Sequence, residues 1–251
     1  MYLALDIGNT RVKAGLFEDN RLVRHASWSD DSLKELPDWL EAGALQGVMV
    51  ASVAADAPGR LDWLRARAEV WELTAQTALP FRNAYRTPET LGKDRVAAVA
   101  GAQALFPGRD CLIVDCGTCI KYEWLTAAGV YEGGNIAPGL RMRIQAMHAF
   151  TARLPEVEVE MPASPVGDST VTALQNGALR GAVMEINGFV TFFRERLPGG
   201  LCILSGGDAR FLQPYLSEQK IILEEHLILY GLHAILLHQV HPVTRNKKPA
   251  I

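Results

Sequence analysis

Two short stretches carry residue types that handle phosphate: Asp6-Ile7-Gly8-Asn9-Thr10-Arg11-Val12-Lys13 and Asp115-Cys116-Gly117-Thr118. In each, a carboxylate closes an apolar run and a glycine-bearing turn follows. Glycine lets backbone N–H groups approach a ligand without a Cβ in the way. In the first turn the hydroxyl, amide and N–H groups can donate to phosphate oxygens. Lys13 adds charge, and Asp6 can hold a water or Mg²⁺. One such turn alone is commonly only a turn. Two, each opening one half of the chain, point to a duplicated domain with a nucleotide between the copies.

A third group, Gly92-Lys93-Asp94-Arg95, precedes the alanine-rich run Val96 to Phe106. The helix dipole alone favours an aspartate in a first turn. Against that reading stands the density of charge beside a glycine, next to a helix that should be mostly buried. Gly133-Gly134 and Pro138-Gly139 let backbone approach something closely, a ligand or another chain. Thr170 sits where a helix cap is expected, a duty threonine performs well. Cys116-Gly117-Thr118-Cys119 spells C-x-x-C, but the following Ile120-Lys121-Tyr122-Glu123-Trp124 alternates like a strand. The helix N-terminus that would activate a redox thiol is therefore missing, and half-buried cysteines in a turn are expected.

Alternating and continuous apolar runs define the elements that position these groups. Tyr2-Leu3-Ala4-Leu5 is a strand, and Val12, Ala14 and Leu16 mark its hairpin partner. A helix is expected over 28–45, a strand at Val48 to Val53, a helix over 58–68 and a strand at Val70 to Leu73. Cys111 to Val114 opens the second hairpin, followed by a helix at 140–150 and an acidic, proline-bearing excursion at 155–168. That excursion would reach over the site or onto a second subunit. A long helix over 171–196 carries Gly177 and Gly181, a spacing that allows close crossing of another helix. Leu201 to Leu204 is a strand ending in Ser205-Gly206-Gly207-Asp208, and an apolar helix spans 227–240. Strands alternating with helices imply an α/β chain. Its expected domains are 1–108 and 109–243, with a short basic tail at 244–251.

A chain of 251 residues has room for one large or two medium domains, each with a core. The formal charge of −3 gives no basic surface for nucleic acid. No apolar run reaches the roughly 18 residues of a membrane span, and the N-terminus enters a strand without an export signal. The expected location is the cytoplasm.

Taken together, Asp6-x-Gly8-Asn9-Thr10-x-x-Lys13, Gly92-x-Asp94-Arg95, Asp115-x-Gly117-Thr118 and Gly133-Gly134-x-Ile136-x-Pro138-Gly139 resemble type III pantothenate kinases in order and spacing. The resemblance runs over about residues 1 to 240, and the four motifs are specific only together. It implies membership of the acetate and sugar kinase, Hsp70 and actin superfamily: two ribonuclease-H-like (actin-like ATPase) domains with ATP in the cleft between them. It further implies phosphorylation of pantothenate to 4′-phosphopantothenate, the first step of coenzyme A synthesis, by a homodimer needing Mg²⁺ and a monovalent cation, K⁺ or NH₄⁺. Carried over by position, Asp6 to Lys13 (Asp6, Ile7, Gly8, Asn9, Thr10, Arg11, Val12, Lys13) resembles the first ATP phosphate loop, and Thr118 the phosphate contact of the second. Asp115 resembles the K⁺ ligand and Asp94 the general base. Tyr85, Gly92, Lys93, Arg95 and Thr170 fall where the family contacts pantothenate.

The family commonly has alanine and a second threonine in the second loop where this chain has Cys119 and Lys121. The carboxylate and first threonine are intact, while Lys121 would supply charge of its own and alter the K⁺ requirement. Neither G-x-x-x-x-G-K-[ST] nor G-x-G-x-x-G is present, which disfavours the P-loop and Rossmann alternatives. The remaining rivals are another small-molecule kinase or a phosphohydrolase on the same scaffold, and a non-catalytic nucleotide-binding transcription accessory factor.

Overall fold

A strand buried on both faces can be apolar along its length, and Tyr2–Ile7 (β1) is such a strand at the centre of the first sheet. The computed structural model describes residues 1–8, 11–29, 33, 35–40, 44–52, 61–217 and 220–241. These fall into two units, one of residues 1–106 with the chain from Leu227 onward, the other Pro107–His226.

In the first unit β1 pairs antiparallel with Arg11–Glu18 (β2) and parallel with Gly47–Ser52 (β4). Arg21–Ser29 (β3) and Val70–Glu72 (β5) complete the order β3-β2-β1-β4-β5. One face buries Leu3, Leu5, Ile7, Val12 and Val50 against Leu36 and Leu40 of Leu36–Leu40 (α1), and Leu61 and Leu64 at Asp62–Arg65 (α2). The chain then passes a two-residue strand, Arg82–Asn83 (β6), to Lys93–Leu105 (α3), which packs on Leu227–Val240 (α8). α8 lies in turn on β1 and β4. Both helices are apolar around most of their circumference, as elements covered on several sides must be. Their backbones meet directly: a Cβ on Gly231 would overlap the carbonyl oxygen of Ala97 and lie 2.8 Å from the Gly101 nitrogen.

Within this packing His233 is 4% exposed, stacked on Phe17 at 4.2 Å between ring centroids, with Nε2 unpartnered. Burial lowers its pKa from 6.5 to about 4. The unfolded chain takes up this proton below pH 6.5 and the folded chain only near pH 4. Stability that is full above pH 6.5 is therefore lost as pH falls toward 4, by about 3 kcal/mol in total at 1.36 kcal/mol per unit. Urea unfolding at pH 7 and pH 5 should show His233→Phe losing about 2 kcal/mol less than wild type on that step. Parallel losses in the two proteins would contradict this assignment.

The second unit repeats the plan. Cys111–Cys116 (β7) is central, with Cys119–Leu125 (β8) and Val130–Pro138 (β9) antiparallel on one side. Leu201–Ser205 (β10) and Ile221–Leu223 (β11) lie parallel on the other, giving β11-β10-β7-β8-β9. In both sheets the first strand is followed outward by its own hairpin on one side and by two parallel strands on the other, the duplication read from the two turns. Leu140–Ala149 (α4), Thr170–Gln175 (α5), Gly181–Arg196 (α6) and Ala209–Leu212 (α7) follow in this unit. Its core joins Leu112, Val114, Ile120 and Tyr122 of the sheet to Ile144, Ile186 and Phe193 of the helices. The Tyr122 hydroxyl donates to Glu185 at 2.7 Å, and Arg143 pairs with the same carboxylate at 2.6 Å.

Several expectations change. The helix expected over 28–45 is replaced at its start by β3, which includes Trp28, and is reduced to α1; parts of 30–43 and all of 53–60 lie outside the described residues. The segment 155–168 lies on its own unit: Val157, Val159 and Met161 pack against the core, and Arg180 donates to the Pro162 carbonyl at 2.6 Å. Gly177 and Gly181 face open space, within and just after a π-helical turn, Asn176–Arg180. α8, assigned to the second domain by the expected boundary at 243, belongs to the first unit. The tail from 244 lies outside the described residues. Cys116 is fully buried rather than half-buried, and burial, then Asp115 and Asp208, raise its thiol pKa well above 9. That thiol is protonated and unreactive at neutral pH. No helix among the described residues is long and apolar enough to cross a membrane.

Candidate active site

The first hairpin turns where the β1–β2 ladder ends. Gly8 donates its N–H to the Arg11 carbonyl at 3.0 Å, and a Cβ at Gly8 would sit 3.2 Å from that oxygen. Asp6, 8% exposed at the end of β1, faces Lys13 across the ladder. Ile7 and Val12 send their side chains into the core, so the backbone is what they can offer a phosphate. Arg11 is exposed and Lys13 half-buried. Asn9 and Thr10, the other expected donors, lie outside the described residues.

The second group forms at the start of α3. Gly92 is the N-cap, and the Asp94 carboxylate accepts the Arg95 N–H at 2.9 Å. A Cβ on Gly92 would lie 2.6 Å from Asp94 Oδ1, so glycine is what lets the carboxylate occupy this place. Arg95 is 4% exposed; its guanidinium lies 5.3 Å above the Tyr85 ring and one nitrogen is 3.4 Å from the Tyr85 hydroxyl. Tyr85, Gly92, Asp94 and Arg95 are thus brought together. Lys93 turns the other way, donating its ammonium to the Ser52 carbonyl at 2.9 Å and tying α3 to the end of β4.

In the second unit Gly117 donates to the Cys119 carbonyl at 3.1 Å, and Thr118 is exposed at the tip. The close approach expected of the glycine-rich return is made within the chain. The Gly139 N–H donates to the Thr118 carbonyl at 3.1 Å, and a Cβ on Gly139 or Gly134 would overlap backbone of this turn or of β8. Asp115, 4% exposed, is paired through Oδ2 with Lys121 Nζ at 2.6 Å. Its Oδ1 lies 2.6 Å from where a Gly206 Cβ would be, and the Asp208 N–H donates to the Cys116 carbonyl at 2.9 Å. Gly206, at φ +93°, adopts backbone that side-chain-bearing residues rarely adopt. The Ser205–Asp208 turn therefore encloses the end of β7. In the sequence this turn is marked only by the S-G-G-D run that follows a strand.

A monovalent cation does not fit beside Asp115 as these residues stand. Oδ2 already bears an ammonium that neutralises the carboxylate. A second unit charge about 4 Å from that ammonium would be repelled by about 4 kcal/mol at an effective dielectric near 20, which offsets most of its attraction to the carboxylate. Mg²⁺ suits Asp6: a near-buried carboxylate is a hard oxygen donor, and this ion needs only one or two carboxylates beside substrate phosphates. Among the described residues no cluster of three or more His, Cys, Asp or Glu could cage a metal. Thr170 is exposed as the first residue of α5; the cap is Ser169, which accepts the Thr172 N–H at 3.2 Å while Thr172 caps it in return.

The family model described as type III pantothenate kinase matches residues 2–191. A type III pantothenate kinase of Phocaeicola vulgatus is 38% identical over 237 residues, covering 94% of this chain and 98% of that protein. Among solved structures, a Baf family transcriptional activator from Campylobacter jejuni superposes with TM-score 0.61 at 21% identity, over 95% of this chain and 98% of its own. An inorganic polyphosphate/ATP-glucomannokinase from Arthrobacter superposes with TM-score 0.51 at 15% identity, over 96% and 99%. At these identities the two structures speak for the α/β fold with two mixed sheets and for nothing more.

Proposed function

The chain belongs to the type III pantothenate kinase family, and from that premise we propose how its residues share the ATP-dependent phosphorylation of pantothenate that opens coenzyme A synthesis. The observation that supports the assignment of roles most directly is the carboxylate of Asp94, held by Gly92 and the Arg95 N–H beside the buried Arg95–Tyr85 pair. Phosphoryl transfer asks little covalent work of the protein, so positioning and charge neutralisation carry the rate. Asp94 accepts the proton of the attacking primary hydroxyl. Arg95 offers its planar fork to the pantothenate carboxylate, with Tyr85 fixing its orientation. Gly92, Lys93 and Thr170 complete the acceptor's surroundings; Lys93 acts by anchoring α3, given its bond to Ser52.

ATP is the phosphoryl donor. Its phosphates take the Gly8 to Lys13 turn and Thr118, and Asp6 holds Mg²⁺ through water. Bound there, Mg²⁺ neutralises charge on the phosphate oxygens. We further propose a homodimer in the cytoplasm. Support for pairing comes from exposed apolar side chains of the second unit, Phe150 after α4 and Met184 and Phe192 on α6.

A coupled assay of ADP release tests the whole reading. With MgATP, release should depend on pantothenate and not on sugars or acetate. Release that ignores pantothenate, or follows another acceptor, would overturn it.

A further inference from the structure

We propose that Lys121 is a built-in replacement for the monovalent cation of the second phosphate loop, so that this chain works without K⁺. The proposal rests on reading the Asp115 hairpin as that loop. A carboxylate as buried as Asp115 needs a positive partner, because an unpaired buried charge is strongly destabilising. The partner present is the Lys121 ammonium, 2.6 Å from Oδ2 on a side chain only 13% exposed. An ammonium has the charge of K⁺ and a similar size, and like K⁺ it is satisfied by oxygens. One of its three N–H donors serves Asp115, leaving others for neighbouring oxygens. On the far side the Gly206 backbone closes over Oδ1, fixing the carboxylate in place.

The duplicated fold explains how a lysine comes to stand there. Asp6 faces Lys13 across the β1–β2 ladder, and Asp115 faces Lys121 at the same place in the β7–β8 ladder. Each carboxylate is the penultimate residue of its central strand. The second hairpin thus carries the lysine of the first, here turned onto its own aspartate.

Wild type, Lys121→Ala and Lys121→Met are compared in KCl, NH₄Cl, NaCl and choline chloride at equal ionic strength. Two quantities are read: the initial rate of pantothenate phosphorylation, and the melting temperature with and without MgADP. Wild type should give the same rate and melting temperature in choline as in KCl. Lys121→Ala should lose about tenfold or more in rate in choline, as expected for a charge-assisted contact. It should regain most of that rate, and a higher melting temperature, in KCl or NH₄Cl but not in NaCl. A purely structural lysine would show no such rescue. A wild type that needs K⁺, or a folded variant indifferent to every cation, would overturn the proposal. Lys121→Met, closer in volume, serves if the alanine variant does not fold. If wild type phosphorylates no pantothenate in any salt, the functional reading fails instead, and the melting comparison still decides the cation.

Discussion

Asp94→Asn is expected to keep the fold and nucleotide binding while turnover falls by at least about 10²-fold, the usual scale of general-base catalysis. Asparagine has nearly the shape of aspartate and keeps an oxygen to accept the Arg95 N–H, the bond that the carboxylate makes at 2.9 Å. What it lacks is the capacity to take a proton. The competing account of Asp94 is electrostatic: a negative charge in the first turn of α3 stabilises the helix. That contribution is about 0.3–1 kcal/mol and would appear as a melting shift of a few degrees. Measuring kcat and melting temperature on the same preparation separates the two. A variant with near-normal turnover and a slightly lower melting temperature would leave Asp94 as a helix-end charge and remove it from the chemistry.

Gly231→Ala should have the largest effect on stability. The added methyl would overlap the Ala97 carbonyl oxygen and lie 2.8 Å from the Gly101 nitrogen, all of it main chain. Neither atom can swing aside as a flexible side chain would, so α3 and α8 must separate along a buried crossing. Overpacking of this kind costs about 3 kcal/mol, a melting temperature lower by roughly 10 °C for a chain of this size. Gly199→Ala, in the turn before β10, is the contrast: its Cβ meets only open space and its φ is not positive. There the smaller freedom of the unfolded chain should raise stability by about 0.5 kcal/mol. Thermal melts of both proteins check the pair, and equal effects would mean that the α3–α8 crossing gives way without strain.

The central strands, their terminal carboxylates and the buried helix after Asp94 were legible in the sequence because each depends on a continuous or alternating apolar run. β3 was not, since an edge strand buries little: Arg21, Arg24 and His25 point outward and only Leu22, Ala26 and Trp28 are half-covered. The home of α8 was equally hidden, because an apolar helix declares that it is buried but not against which sheet. Composition likewise marks Gly134 and Gly139 as places of close approach without naming the neighbour, which proves to be β8 and its own turn. Of the site, residue types at Asp6, Asp94 and Asp115 could be read directly. The ion pair of Asp115 with Lys121 required the register of β7 on β8, which places the third residue of β8 opposite the carboxylate.

Helix α8 seals the first sheet although it is made after the whole of the second unit. During synthesis, residues 1–106 emerge from the ribosome with one face of their sheet bare, and about 120 further residues pass before its cover arrives. The intervening segment holds its own sheet and helices in one uninterrupted run. The half that starts first therefore matures last, and a nascent chain cut short of α8 carries an unsealed apolar face for chaperones or proteases to find.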